Sequence, residues 1–240
     1  MDLKILELLR SYDTPTICNV IECFDIRPRN TGYMDARIKA CFPEMPPMVG
    51  FASTATFRSA ATPRQGNVYA SLDRHVAAFA DVPAPAIPVF QDLDDPAVSA
   101  TFGEVMCTTY QRFGAAGLIT SGAARDLDQV RRLGFPCFSN GVICSHGYAH
   151  FLDVHVPVMV GGAPIAPGDL LHGDANGVTT IPLEIASEVA QACAEYMAAE
   201  QVVLDYCKSK DVTVAGFAEA RAECGRRIAA LSERVRVRGR

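Results

Sequence analysis

An arginine and an aspartate stand side by side at Arg125-Asp126, inside the stretch GLITSGAARDLDQVRRLGFPCF that runs from Gly117 to Phe138. They follow an apolar run that reads as a strand and precede a helical pattern. One loop earlier, Glu104 opens another helical pattern, where the amides of Glu104, Val105 and Met106 are first-turn donors with no helical partner. Ligands of parallel α/β sheets gather outside the carboxyl ends of the strands, where such helix starts point. An anion held at that helix start is met by the Arg125 guanidinium, and Asp126 and Glu104 add the hard oxygens that magnesium prefers. A plainer reading fits the same residues. Arg125-Asp126 then opens a helix at the surface, and Glu104 simply answers the helix dipole. The residues alone leave both readings open.

A rival cluster is SHGYAHFLDVH, with His146, His150 and His155, followed by His172. A metal clamp of two histidines four apart needs a helix, and Gly147 with its strand-like flanks argues against one. Extended chain sets His146 and His150 roughly 13 Å apart, too far to share an ion. His172 reads as a packed strand residue, Asp73-Arg74-His75 as a solvated helix face, and Asp174 with Asn176 as turn formers. The chain has no glycine-rich phosphate loop, no G-x-S-x-G elbow and no cysteine with an obvious local base.

The elements that carry these residues follow from periodicity and punctuation. Helices are expected over 2–11 and 15–25, the second opened by Thr14-Pro15. An irregular connection covers 26–47, and Met48–Phe57 reads as a strand. A helix from Val68 to Ala80 leads through a proline-rich turn to a strand over Ile87–Asp92. After the loop LDDPAVSAT come a helix over Phe102–Phe113, the strand AGLIT, a helix over Arg125–Leu133 and the strand FPCFSNGV. That alternation means βαβ units on a parallel sheet. From Val154 the pattern is all-β, with a turn at Asn176-Gly177, and two helices follow over Leu183–Lys208 and Val214–Arg234. A single domain over 1–240 is expected, with a helical extension from about residue 209.

Composition narrows the function classes. The 240 residues carry 22 basic and 27 acidic side chains, and 49% are hydrophobic. No basic block precedes the short C-terminal RVRVRGR, so the electrostatic footprint of a nucleic-acid binder is missing. The nine cysteines are odd in number, lack any C-x-x-C pair and lie mostly in apolar segments, where a reduced thiol packs as a small hydrophobe. No apolar run has the length of a membrane span, and the amphipathic MDLKILELLRSYD does not resemble a secretory signal. A reduced cytoplasmic protein is expected, with neither nucleic acid nor membrane as partner.

The run GEVMCTTYQRFGAAGLITSGAARDLDQVRRLGFPCF resembles the central block of the RraA-like family. That family includes metal-dependent aldolases of 4-hydroxy-4-methyl-2-oxoglutarate and 4-carboxy-4-hydroxy-2-oxoadipate, which also decarboxylate oxaloacetate, and the regulator of ribonuclease E activity. VGFASTATF and APGDLLHGDANGVTTIP are similar to two further family motifs, and the likeness spans roughly Thr14 to Glu200. Its aldolase branch is marked by an acid, twenty residues and then Arg-Asp, matched here by Glu104, the twenty residues Val105–Ala124, and Arg125-Asp126.

The resemblance implies a layered α-β-β-α sandwich of swivelling-domain type, an α/β fold with a partly parallel sheet and C-terminal helices. It implies a class II lyase that breaks a carbon–carbon bond of a 2-oxo acid to release pyruvate. Asp126 would ligate Mg2+, Mn2+ or another divalent metal, Arg125 would contact substrate, and Glu104 would hold a metal-bound water. The amides after Gly103, those of Glu104, Val105 and Met106, would grip a carboxylate. A homotrimer or hexamer with sites between subunits is also implied, Glu200 being contributed by a neighbour. The apolar positions Ile185, Val189, Ala192, Tyr196 and Val203 suit such an assembly. The chain departs from the family pattern at Ser121-Gly122, where Asp-Gly is usual, and in the loop LDDPAVSAT. The alternative within the family is a protein-binding regulator of a ribonuclease, or a catalytically silent paralogue.

Overall fold

The computed structural model describes residues 1–66, Tyr69 and 71–238. They form two compact units, one of Gly32–Pro182 and one of Asp2–Thr31 with residues 183–238.

The helical unit begins with α1 (Leu3–Arg10) and α2 (Thr14–Phe24). Aspartates start both: Asp2 accepts from Lys4 N and Asp13 from Thr16 N, and Pro15 sits in the first turn of α2.

The sheet unit contains β1 (Lys39–Ala40), β2 (Met48–Arg58), α3 (Leu72–Ala77), β3 (Ala86–Asp92), β4 (Ala100–Phe102), α4 (Glu104–Arg112), β5 (Leu118–Thr120), β6 (Ala123–Ala124), α5 (Leu127–Leu133) and β7 (Cys137–Ser139). It continues with β8 (His150–Val154), β9 (Val158–Val160), β10 (Ala163–Ile165), β11 (Leu170–Asp174) and β12 (Gly177–Ile181). The chain then returns to the helical unit with α6 (Ala186–Lys208) and α7 (Val214–Arg238), which pack on each other and on α2. Gly239 and Arg240, the end of the basic tail, lie outside the described residues.

The main sheet runs β1-β7-β5-β3-β2-β11-β12, with β8 also paired to β2. Its centre, β2-β3-β5-β7, is parallel, and β1, β8, β11 and β12 are antiparallel additions. Alternating side chains give the sheet two apolar faces. Phe57, Phe90, Phe102, Tyr110 and Phe135 gather on the face covered by α3, α4 and α5. Ile87, Val89, Ile119 and Phe138 pack with Val158, Val160 and Ile165 of the β9–β10 hairpin on the other. The result is the α/β fold with a mixed, partly parallel sheet and C-terminal helices that the resemblance implies.

Several local expectations change. α4 starts at Glu104, because Ala100–Phe102 is drawn into a short parallel pairing with β6. The helix expected from Val68 begins at Leu72; Val68 and Ala70 lie outside the described residues. His75 is not on a solvated face. It is fully buried, with Nδ1 2.8 Å from the Tyr110 hydroxyl and Nε2 3.3 Å from Ser53 Oγ, while Asp73 and Arg74 are exposed. Burial without a counter-charge pulls its pKa down to about 4. Of the apolar positions expected at a subunit interface, Ile185, Val189 and Ala192 are already buried within the chain itself.

Candidate active site

Two short strands deliver the candidate residues. β4 and β6 pair in parallel, so the residues that leave them, Gly103-Glu104 and Arg125-Asp126, emerge together. The Arg125 amide donates to Phe102 O at 3.1 Å and fixes the two turns against each other. Asp126 is the N-cap residue of α5, yet it makes no side-chain cap bond to its own helix. Its backbone is left-handed, with φ 55°, a conformation costly for a residue with a Cβ. The carboxylate turns toward α4, where Oδ2 accepts from Glu104 N at 3.1 Å. The Glu104 amide is therefore not the open donor that the sequence suggests. α4 has glycine at its N-cap and no side chain there to cap the Val105 and Met106 amides. Gly103 is needed for room, since a Cβ there would run into Asp126 Oδ2 and crowd Arg125 Nε.

The Arg125-Asp126 pair is loosely closed. Nε stands 3.7 Å from Asp126 Oδ2, and the two side chains are 26% and 34% exposed. Arg125 Nε is buried and has no hydrogen-bond partner. Nη2 donates to the Tyr69 hydroxyl at 3.4 Å, and the Tyr69 ring leans on His146 with centroids 5.4 Å apart. Burial raises the Tyr69 phenol pKa, and the Arg125 charge pulls it back. Sequence reasoning gives no part to Tyr69. It reaches Arg125 across 56 positions, and no local pattern announces that contact.

Behind this wall, Ser121 has a definite task. Its Oγ accepts from Asp92 N at 2.9 Å and so ties the end of β3 to the turn after β5. Gly122 must be small, because a Cβ would meet Asp92 Oδ2 and Thr101 Oγ1 at 2.6 Å. Asp92 Oδ2 is buried with no partner, and burial pushes that carboxyl up to about 6.

Among the described residues no three His, Cys, Asp or Glu side chains form a metal cage, the histidines of SHGYAHFLDVH included. The donor set at Asp126 suits a hard divalent ion of the magnesium type, which binds one or two carboxylates and takes its other ligands from water and substrate. Asp126 Oδ2 is committed to Glu104 N, and Oδ1 has no hydrogen bond among the described residues. Glu200 lies on α6 in the helical unit, where it lines a crevice of about 560 Å³ with Val203, Leu204, Phe217 and Arg221. All nine cysteines are free thiols. No helix among the described residues is long and apolar enough to cross a membrane.

Comparison with known proteins places the family and the fold. The RraA-like family, described as Aldolase/RraA, matches residues 14–180. A protein of Halalkalibacterium halodurans provisionally named a 4-hydroxy-4-methyl-2-oxoglutarate aldolase is 35% identical over 100 residues, 41% of this chain and 48% of that protein. An uncharacterized protein of Methanocaldococcus jannaschii is 29% identical over 94 residues, 39% of this chain and 45% of that one. The chain thus spans about half the length, or less, of these curated relatives. Among solved structures, an uncharacterized protein from Pseudomonas syringae superposes with a TM-score of 0.71 at 22% identity, covering 92% of this chain and 94% of that one. RraAS2 of Streptomyces coelicolor, described as an unusual member of the RNase ES inhibitor RraA protein family, gives 0.66 at 23% identity, covering 84% and 96%. These two likenesses establish the fold alone.

Proposed function

The chain belongs to the RraA-like family, and we propose that it is a divalent-metal-dependent lyase that cleaves a carbon–carbon bond of a 2-oxo acid and releases pyruvate. The reaction is retro-aldol cleavage of a 4-hydroxy-2-oxo acid, decarboxylation of oxaloacetate, or both, since each leaves the same enolate. The observation that carries the reading is the loose Arg125-Asp126 pair, with a strained backbone at Asp126 and an unpartnered Arg125 Nε beside it. An ion pair kept for stability has no reason to leave these bonds unmade.

Asp126 holds Mg2+ or Mn2+, which supplies Lewis-acid polarisation of the oxo group when bound. Arg125 presents fixed positive charge to the substrate anion and to the oxygen that gains charge as the bond breaks. The Val105 and Met106 amides, at the positive end of α4, bind a substrate carboxylate. Glu104 exposes its side chain at the head of the same helix, and we assign it the relay of protons between substrate and water. Glu200 acts on a neighbouring subunit's site in a homotrimer or a dimer of trimers, an assembly that light scattering tests: a monomer at micromolar concentration removes Glu200 from the site. The free thiols suit a reducing compartment, and we place the reaction in the cytoplasm.

Pyruvate release from oxaloacetate and from 4-hydroxy-4-methyl-2-oxoglutarate, with magnesium, with manganese and with chelator, tests the proposal. Turnover that needs the metal supports it. Absence of turnover under all conditions would return the chain to the protein-binding reading.

A further inference from the structure

Tyr69 is held where a side chain of its size is costly to hold. Its backbone is left-handed, with φ 63°, and only surrounding contacts make such a conformation persist in a residue other than glycine. Its amide donates to Ala149 O at 2.6 Å, and its carbonyl accepts from Leu72 N at 3.2 Å. Its ring lies against His146, which is itself anchored by donation from Nδ1 to Gly147 O at 2.9 Å. The product of this anchoring is the position of one hydroxyl, which accepts from Arg125 Nη2. A phenol that accepts still owns a proton to give. Among the described residues no acceptor takes that proton, so it remains available to an anion at Arg125.

We propose that Tyr69 is a further substrate-binding residue of the Arg125 site, donating its phenolic hydrogen bond to an anionic oxygen of the bound 2-oxo acid alongside the guanidinium. The inference rests on the function proposed above and adds a residue that the acid, twenty residues and Arg-Asp pattern does not contain. Arginine and phenol together offer an anion two convergent donors from one side. Losing a hydrogen bond to a charged group costs roughly ten- to hundredfold in binding.

The test is Tyr69→Phe, which keeps the ring against His146 and removes only the hydroxyl. Calorimetric binding of oxalate, a planar dianion shaped like the enolate of a 2-oxo acid, is measured with magnesium present, beside kcat/KM on oxaloacetate and a melting curve. The expected result is a loss of roughly ten- to hundredfold in both oxalate affinity and kcat/KM, with Tm unchanged. Wild-type values of both in the variant would overturn the inference while leaving the lyase reading intact. If the wild type binds oxalate but turns over no 2-oxo acid, the lyase reading fails, and the variant's oxalate affinity alone decides the role of Tyr69. Absence of both binding and turnover in the wild type overturns both.

Discussion

Two arginine–aspartate pairs in the sheet unit are built in opposite ways. In Arg58–Asp94 the carboxylate is 7% exposed and both its oxygens are engaged: Oδ1 lies 3.2 Å from Arg58 Nε, and Oδ2 accepts from Ser59 N at 2.7 Å and Ala60 N at 2.9 Å. This pair fastens the end of β2 to the loop after β3. In Arg125–Asp126 the separation is 3.7 Å, Nε has no partner, the aspartate backbone is left-handed, and both side chains keep an open edge. A carboxylate with both oxygens engaged holds a loop; under the proposed function, the open edge of the other pair is where the ligand sits. Buried polar groups are usually satisfied, so the exception at Arg125 Nε is informative.

The largest effect that sharpens the contrast is expected from Asp126→Ala. Divalent-dependent pyruvate release should fall to the chelated background, while circular dichroism and the melting curve remain those of a folded protein. Activity retained with full metal dependence would move the metal elsewhere. Asp94→Ala should do the reverse. Two backbone amides and a guanidinium lose their acceptor, which costs about 2 kcal/mol of stability, read by denaturant unfolding, with turnover per folded molecule unchanged. A variant of Asp94 that lost activity but not stability would erase the distinction between the pairs.

A smaller effect concerns Asp92, behind the candidate turn. Its folded-state pKa is raised from 3.8 to about 6 by burial, so the fold favours the neutral acid. The corresponding stabilisation is complete below 3.8 and lost as pH rises through 6. Asp92→Asn removes this titration and should raise Tm relative to wild type above pH 6, with little difference below 3.8. Parallel Tm profiles for the two proteins across that window would show that the carboxyl ionises without strain.

What the sequence made legible follows from the range of the interactions involved. α1, α2, α6, α7, β2 and β3 carry their own period, caps and breakers, and their expected positions hold to within a few residues. β4 was not legible, because Ala100–Phe102 reads as loop and helix until β6 arrives to pair with it. His75 shares a charged tripeptide with Asp73 and Arg74, and its burial depends on Ser53 and Tyr110, 22 and 35 positions away. At the candidate site the divide is similar. Glu104, Arg125 and Asp126 were visible because each sits at the head of a helix that the pattern locates, and Gly103 only through the family resemblance. Two features were invisible: the bond from Asp126 to the Glu104 amide, and Tyr69, which reaches Arg125 only through the tertiary fold.

The central claim, that the open pair is the working one, meets its most direct test in the steady-state turnover of oxaloacetate by wild type and Arg125→Lys with magnesium present and melting curves alongside. Lysine keeps the charge but loses the planar fork that matches a carboxylate and oxo pair. The account predicts a fall in turnover on the order of 10²–10³ with Tm nearly unchanged. Equal turnover in the two proteins, or none in the wild type, would contradict it.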